Sequence, residues 1–257
     1  MTKTSSPREA ETLVQKLPSD MGIHRNPRKG TLNAPEVILE DFDFLGTVFL
    51  DEVFPDEFDL EETHRRIEEN TRELLEYGKP LLGIGGDHSV SFPVIKALKE
   101  RHSGLQLVWL DAHLDMKEPV DGHASHDVVL RELIGSGFEP SELWVVGVTR
   151  VDQDEEELME QHDFNIYRSN EVEEFRREFD SGEQPVYLSV DIDVLDPEEA
   201  PGTGYPDGEL SPEQAGEVIE TVEPDFADLV EVAPPLEEGN RTAENARVLL
   251  RRLSEAL

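Results

Sequence analysis

The sequence predicts an α/β fold, a three-layer αβα sandwich with a mostly parallel central sheet, on three observations. Short apolar runs recur at regular intervals, at residues 81–84, 105–110, 143–146 and 186–190. Charged segments of helical spacing lie between them. The runs contain few polar positions, so their strands should be buried on both faces, as in parallel sheets covered by helices. No Ser/Gly-rich linker or internal repeat divides the 257 residues, which are expected to form a single domain, 1–257.

Residues 1–35 are the atypical part, with turn formers around Asn26-Pro27-Arg28-Lys29-Gly30 and a short helix expected from Ala34. Beyond them a helix over 61–77 runs into Gly78, a strand covers 80–84 and a helix 91–100. A strand over 105–111, a helix over 127–134 and a strand over 142–148 follow. Helices are expected over 154–161 and 171–179, then a strand over 185–191. Six of the twelve residues from Pro197 to Gly208 are Pro or Gly, which makes that stretch a loop. Ser211-Pro212-Glu213-Gln214 reads as an N-cap Ser, a Pro in the first turn and a capping-box Gln, with Ala215, Val218, Ile219 and Val222 as the buried stripe. A strand over 228–232 and a helix over 242–253 complete the pattern.

Composition restricts the function. Fifty-nine acidic residues against 23 basic ones give a net charge of −36, which would repel a nucleic acid or an anionic membrane. Partners should be cationic, metallic or neutral. The chain has no cysteine, so disulfides, thiolate metal sites and cysteine nucleophiles are excluded. Only 7 of the 23 basic residues are Lys, and such acid-rich, Lys-poor surfaces resemble those of cytosolic proteins from salt-accumulating halophiles. No apolar run reaches the roughly 18 residues of a membrane span, and residues 1–7 lack a signal-peptide core, so a cytoplasmic protein is expected.

Three expected strands end in metal-capable side chains, where ligands bind in such sheets. They are Gly85-Gly86-Asp87-His88-Ser89, Asp111-Ala112-His113-Leu114-Asp115 and Asp191-Ile192-Asp193. In an extended segment residues i, i+2 and i+4 project to one side, so Asp111, His113 and Asp115 should converge. Four carboxylates gathered at one sheet end need counter-charge, and two divalent cations supply it. Oxygen and imidazole donors without sulfur suit manganese, and shared Asp ligands suit a two-metal site.

These motifs, with Ser-Val-Asp-Ile-Asp-Val-Leu-Asp-Pro-Glu-Glu-Ala-Pro-Gly-Thr-Gly at 189–204 and Glu231-Val232-Ala233-Pro234-Pro235, resemble the ureohydrolase family of arginases and agmatinases from about residue 60 onward. The resemblance implies two Mn²⁺ per chain. His88 and Asp115 would bind one ion, His113 and Asp193 the other, and Asp111 and Asp191 would bridge both. It also implies urea release from a guanidino substrate, with Asp115 part of the catalytic centre and Glu231 holding the guanidinium, in a homo-oligomer that is a trimer or hexamer.

His126 is the expected proton shuttle and His123 its competitor. Family members carry His-Gly where this chain has His126-Asp127, and Asp tolerates a positive φ less well than Gly. The family's opening apolar strand and Gly-rich loop are reduced here to Gly22-Ile23 and Lys29-Gly30-Thr31. His24, His64, His102 and His162 sit among charged residues and are expected in solvent.

Agmatine is the leading substrate, because a dication needs no basic anchor on an acidic protein. Arginine is the nearest alternative, with Asp152 at the position where an arginase would hold the α-amino group. Formimidoylglutamate would need a basic pocket, which the sequence does not locate. A non-catalytic metal-binding relative is the reading from a different class.

Overall fold

The structure, a computed structural model, describes residues 2–24, 28–119 and 122–257. The expected turn at Asn26 and Pro27 falls outside them. Among the described residues, nine strands form one sheet: β1 Thr2–Lys3, β2 Thr12–Leu17, β3 Thr47–Glu52, β4 Leu81–Gly85, β5 Gln106–Leu110, β6 Leu143–Val148, β7 Asn165–Arg168, β8 Val186–Asp191 and β9 Phe226–Val230. Their order is β1-β3-β2-β4-β9-β8-β5-β6-β7, and every pair is parallel.

Successive residues of the inner strands enter opposite faces, and each face has its own apolar core. Leu13, Leu81, Leu107 and Trp109 pack on one side with Ile67, Ile95 and Leu130, which come from α2 Leu60–Leu75, α3 Ser91–Arg101 and α4 Val129–Gly135. Val14, Leu82, Val108 and Val190 pack on the other with Ile38, Phe175, Val218 and Leu249. Those partners lie on α1 Ala34–Leu39, α6 Val172–Glu178, α7 Pro212–Val222 and α8 Arg241–Ala256. The remaining helix, α5 Gln153–Met159, lays Leu158 and Met159 on the first side. These are the three expected layers. Ser211 caps α7 as its sequence predicts: its hydroxyl accepts from Gln214 N at 3.2 Å, and the Gln214 side chain accepts from Ser211 N at 3.0 Å.

The N-terminal expectation is corrected. Thr12–Leu17 is an inner strand between β3 and β4, and the chain after it is built into the rest of the molecule. Ser19 Oγ and Gly22 N both donate to Asp87, each at 3.1 Å, and Arg28 donates to the carbonyls of Thr203 and Gly204 at 3.0 Å. The strands β1, β3 and β7 were also not expected; β3 and β7 are mostly half-buried, and their apolar runs, Val48-Phe49-Leu50 and Ile166-Tyr167, are only three and two residues long.

Candidate metal centre

The four central strands, in the order β4-β9-β8-β5, each deliver a functional group from their carboxyl ends. His88 follows β4, Glu231 follows β9, Asp191 ends β8 with Asp193 just beyond, and Asp111, His113 and Asp115 follow β5. β4 and β5 are consecutive in the chain yet separated in the sheet by β9 and β8, which is the kind of topological switch that opens a crevice for ligands.

Two donor sets lie together and share one residue: His88, Asp111 and Asp191, and Asp111, His113 and Asp193. His88 Nδ1 is 3.1 Å from Asp111 Oδ2, 3.1 Å from Asp191 Oδ2 and 3.2 Å from Asp115 Oδ2. His113 Nδ1 is 3.0 Å from Asp193 Oδ2 and 3.4 Å from Asp111 Oδ1. All six side chains are buried except His113, which is partly so.

The convergence does not come from an extended strand, as the spacing suggested. The chain bends after Leu110: Asp111 Oδ1 accepts from His113 N at 2.7 Å, and Asp115 adopts φ 48°. Asp191 accepts from Asp193 N at 2.8 Å in the same way.

Electrostatics fit a cation site. Burial, with Asp111 nearby, pushes Asp115 up to about 7. Burial also pushes Asp193 up to about 7, and raises Asp191 well above the carboxylate range with help from Asp193 and Asp111. Burial opposes the charge of His88 and His113, but the surrounding carboxylates raise both well above the usual imidazole range. Without metal, the cluster therefore meets its crowded charge with protons. His88 Nδ1 and Asp111 Oδ2 are buried and face each other, yet neither makes a hydrogen bond. Such orphaned donor atoms are costly unless something else satisfies them, and a divalent ion does. The residues present fit a two-metal centre.

Beside the donor sets, Glu231 Oε1 accepts from His88 N at 2.9 Å and lies 3.1 Å from His126 Nδ1. Glu231 adopts φ 62°, so two residues of this site hold left-handed backbones. Burial opposes the charge on His126, but its hydrogen bond to Glu231 and the nearby carboxylates raise it to about 9. His126 lines the same pocket as His113, Asp115, Asp191, Asp193 and Glu231. His123 does not; it stacks on His24 with ring centroids 5.6 Å apart. Asp127 is not among the residues with positive φ, so the Gly-to-Asp departure imposes no left-handed strain.

Asp152 lies outside the pocket lining. It caps α5, and its carboxylate is taken by Lys117 at 3.1 Å and Arg150 at 3.1 Å. His64 is a correction: it is buried, lies 3.2 Å from Ser89 Oγ and is lowered to about 4 by burial. His24 and His102 are half-buried, and only His162 is exposed as expected. Sequence reasoning missed Lys117, Arg150 and Tyr205 in the pocket lining, since isolated residues on loops carry no spacing signal.

An all-parallel α/β sheet with two carboxylate-bridged donor sets at its switch point defines a class of metal-dependent hydrolases. The profile of the arginase family matches residues 14–254. The chain is 35% identical over 198 residues to the agmatinase of Bacillus subtilis, covering 73% of this chain and 67% of that one. It is 31% identical over 226 residues to a guanidinobutyrase of Pseudomonas aeruginosa, covering 81% and 70%. The solved structure of the proclavaminate amidino hydrolase of Streptomyces clavuligerus superposes with a TM-score of 0.87 at 25% identity, covering 99% of this chain and 94% of that one. The chain belongs to the arginase family and is a hydrolase of carbon–nitrogen bonds in linear amidines. The match begins within β2.

Proposed function

We propose that the protein is a binuclear manganese amidinohydrolase that releases urea from a guanidino compound, with agmatine, yielding putrescine, as its substrate. The observation that carries this reading is the pair of donor sets sharing Asp111, with the His126–Glu231 pair beside them in one pocket. His88 and Asp115 would hold one ion, His113 and Asp193 the other, and Asp111 and Asp191 both. When bound, the ions lower the pKa of water so that hydroxide is available near neutral pH.

Glu231 receives the guanidinium through charge-assisted hydrogen bonds, exchanging its contact with His126 for one with substrate. His126 is protonated up to about pH 9 while it contacts Glu231, and once that contact is exchanged it supplies the proton that the departing amine needs when the carbon–nitrogen bond breaks. An acidic surface raises the local concentration of a dication such as agmatine.

Lys117 and Arg150 in the pocket lining support a second reading, a guanidino compound bearing a carboxylate. Arginine also bears a carboxylate and belongs with this second reading, although Asp152, expected to hold its α-amino group, is paired with Lys117 and Arg150, each 3.1 Å away. The decisive assay measures urea released from agmatine, arginine and 4-guanidinobutyrate in Mn²⁺ and high salt. Agmatine turning over fastest supports the first reading. Preference for 4-guanidinobutyrate or arginine selects the second, and two bound ions without urea from any of the three means that another linear amidine is the substrate. Asp111→Ala or Asp191→Ala should lose both ions, and one ion or none in the folded wild type would overturn the binuclear assignment. Cytoplasmic location, adaptation to high salt and assembly into a trimer or hexamer belong to the same proposal, and sedimentation at molar KCl tests the assembly.

A further inference from the structure

Asp228 lies in the middle of β9, fully buried, three residues before Glu231. No solvent reaches it, and three hydroxyls converge on it. Ser91 Oγ and Tyr187 OH donate to Oδ2, each at 2.5 Å, and Ser189 Oγ donates to Oδ1 at 2.6 Å. The same Ser189 Oγ is 2.8 Å from Nε2 of His88, whose ring stacks on Trp109 with centroids 3.8 Å apart and planes within 6°.

The direction of each bond follows from donor counting. A carboxylate only accepts, so each hydroxyl must donate to Asp228. Ser189 has one proton, which is committed there. Towards His88 it therefore offers only lone pairs, and Nε2 must carry the hydrogen. In a neutral imidazole the other nitrogen, Nδ1, is then the lone-pair atom. That atom faces Asp111, Asp115 and Asp191 without a hydrogen bond.

We propose that Asp228 is a positioning residue: acting through Ser189, it holds His88 in the one tautomer and ring orientation that present Nδ1 to a metal ion. The inference rests on the reading of His88 as a metal ligand. Residues that fix a ligating imidazole in this way contribute to affinity rather than to chemistry. Tyr187 and Ser91 complete the satisfaction of Asp228 but lie off the route to His88. The chain thereby separates a group that tunes the metal from groups that merely allow that group to be buried.

The test is a Mn²⁺ titration of the full chain, with free Mn²⁺ followed by electron paramagnetic resonance and stability by thermal melting. Wild type binding two ions supports the ligand reading, and wild type binding none overturns that reading before the relay is at issue. Ser189→Ala should weaken one of the two ions about 10- to 100-fold and leave the other within a few-fold. Asp228→Asn should weaken the same ion at least as much, because an amide can donate to Ser189 and free its proton to point at Nε2. Tyr187→Phe should lower the melting temperature and leave both affinities within about twofold. Nitrogen NMR of the Zn²⁺-loaded protein should show the His88 proton on Nε2 in wild type and Tyr187→Phe. Ser189→Ala binding both ions as tightly as wild type would overturn the relay while leaving the metal centre standing. So would Tyr187→Phe weakening an ion as much as Ser189→Ala. If Asp228→Asn does not fold, Ser189→Ala, which removes one hydroxyl and no charge, decides the matter.

Discussion

Asp115 and Glu231 hold φ at 48° and 62°, a region that costs a residue with a Cβ about 1–2 kcal/mol, and both line the candidate pocket. They are two of the four non-glycine residues with positive φ among the described residues, the others being Asp41 and Glu223 away from the pocket. If His126 delivers the proton, as proposed, its removal separates proton delivery from metal binding. His126→Ala should keep both ions and the fold while turnover falls roughly 10²- to 10⁴-fold, and His123→Ala should be nearly silent. Loss of activity in the second variant alone would move the role to His123. Asp127→Gly should keep turnover and lower the melting temperature, because its φ is already negative, its bond from Ser125 Oγ at 2.7 Å is lost, and Gly adds unfolded-state entropy. The carboxylates give a pH signature. Asp115 and Asp193 rise from 3.8 to about 7 on folding without metal, so the folded chain holds protons that the unfolded chain has released. Stability from these groups is present below about pH 4 and is lost as pH rises through about 7; the raised His126 continues the same trend to about 9. Chelator-treated protein should therefore melt at a lower temperature at pH 8 than at pH 6, and Mn²⁺ should reverse the difference. An unchanged melting temperature across that range would contradict the buried cluster. The donors were legible in the sequence because each follows an apolar run; Asp228 was not, because it sits inside one.

At the level of elements, legibility followed burial. The central strands β4, β8 and β9 are buried throughout; the first two stood out as apolar runs, and the third was expected as a strand over 228–232. Inner strand β2 escaped notice because Gln15 and Lys16 interrupt its centre, and only the structure shows Gln15 buried and bonded to Asn70 and Thr71 at 2.7 and 3.1 Å. The β9 boundary also moved two residues earlier than expected, to Phe226, since Asp228 reads as a strand start but lies mid-strand. Two substitutions separate placement of the site from stability of the frame. A Cβ on Gly86 would overlap the backbone of Ser19 and come within 2.8 Å of Leu17 O, forcing β4 and β2 apart just before His88. Gly86→Ala should therefore weaken Mn²⁺ binding together with stability. Ser211→Ala removes a cap on the far helix and should cost about 1 kcal/mol of stability with metal content and turnover unchanged. Equal effects of the two on metal content would mean that the β4–β2 approach does not position His88.

For the molecule as a whole, a net charge of −36 is the largest property read directly from composition. Much of the surface Arg is spent on carboxylates, as in Arg65 with Glu62 and Glu69 at 2.7 and 2.6 Å and Arg72 with Glu100 at 2.9 Å, and exposed pairs of this kind stabilise little. Repulsion among the remaining acids should dominate when the screening length grows from about 3 Å in molar salt to about 30 Å at 10 mM. The melting temperature should rise with KCl from low to molar concentration, and a flat profile would refute the inference of salt adaptation. No helix among the described residues is long and apolar enough to cross a membrane. The strand order carries a consequence for how the chain is made. His88 and the Asp111–Asp115 segment emerge from the ribosome early, on strands that remain two places apart until β8 and finally β9 are inserted between them. A chain that stops before β8 therefore has two groups of strands with unpaired inner edges and an incomplete candidate donor set. The candidate donor set is complete once Asp193 has followed β8, but the two inner edges close only when β9 is in place, and until then they are what a chaperone has to shield.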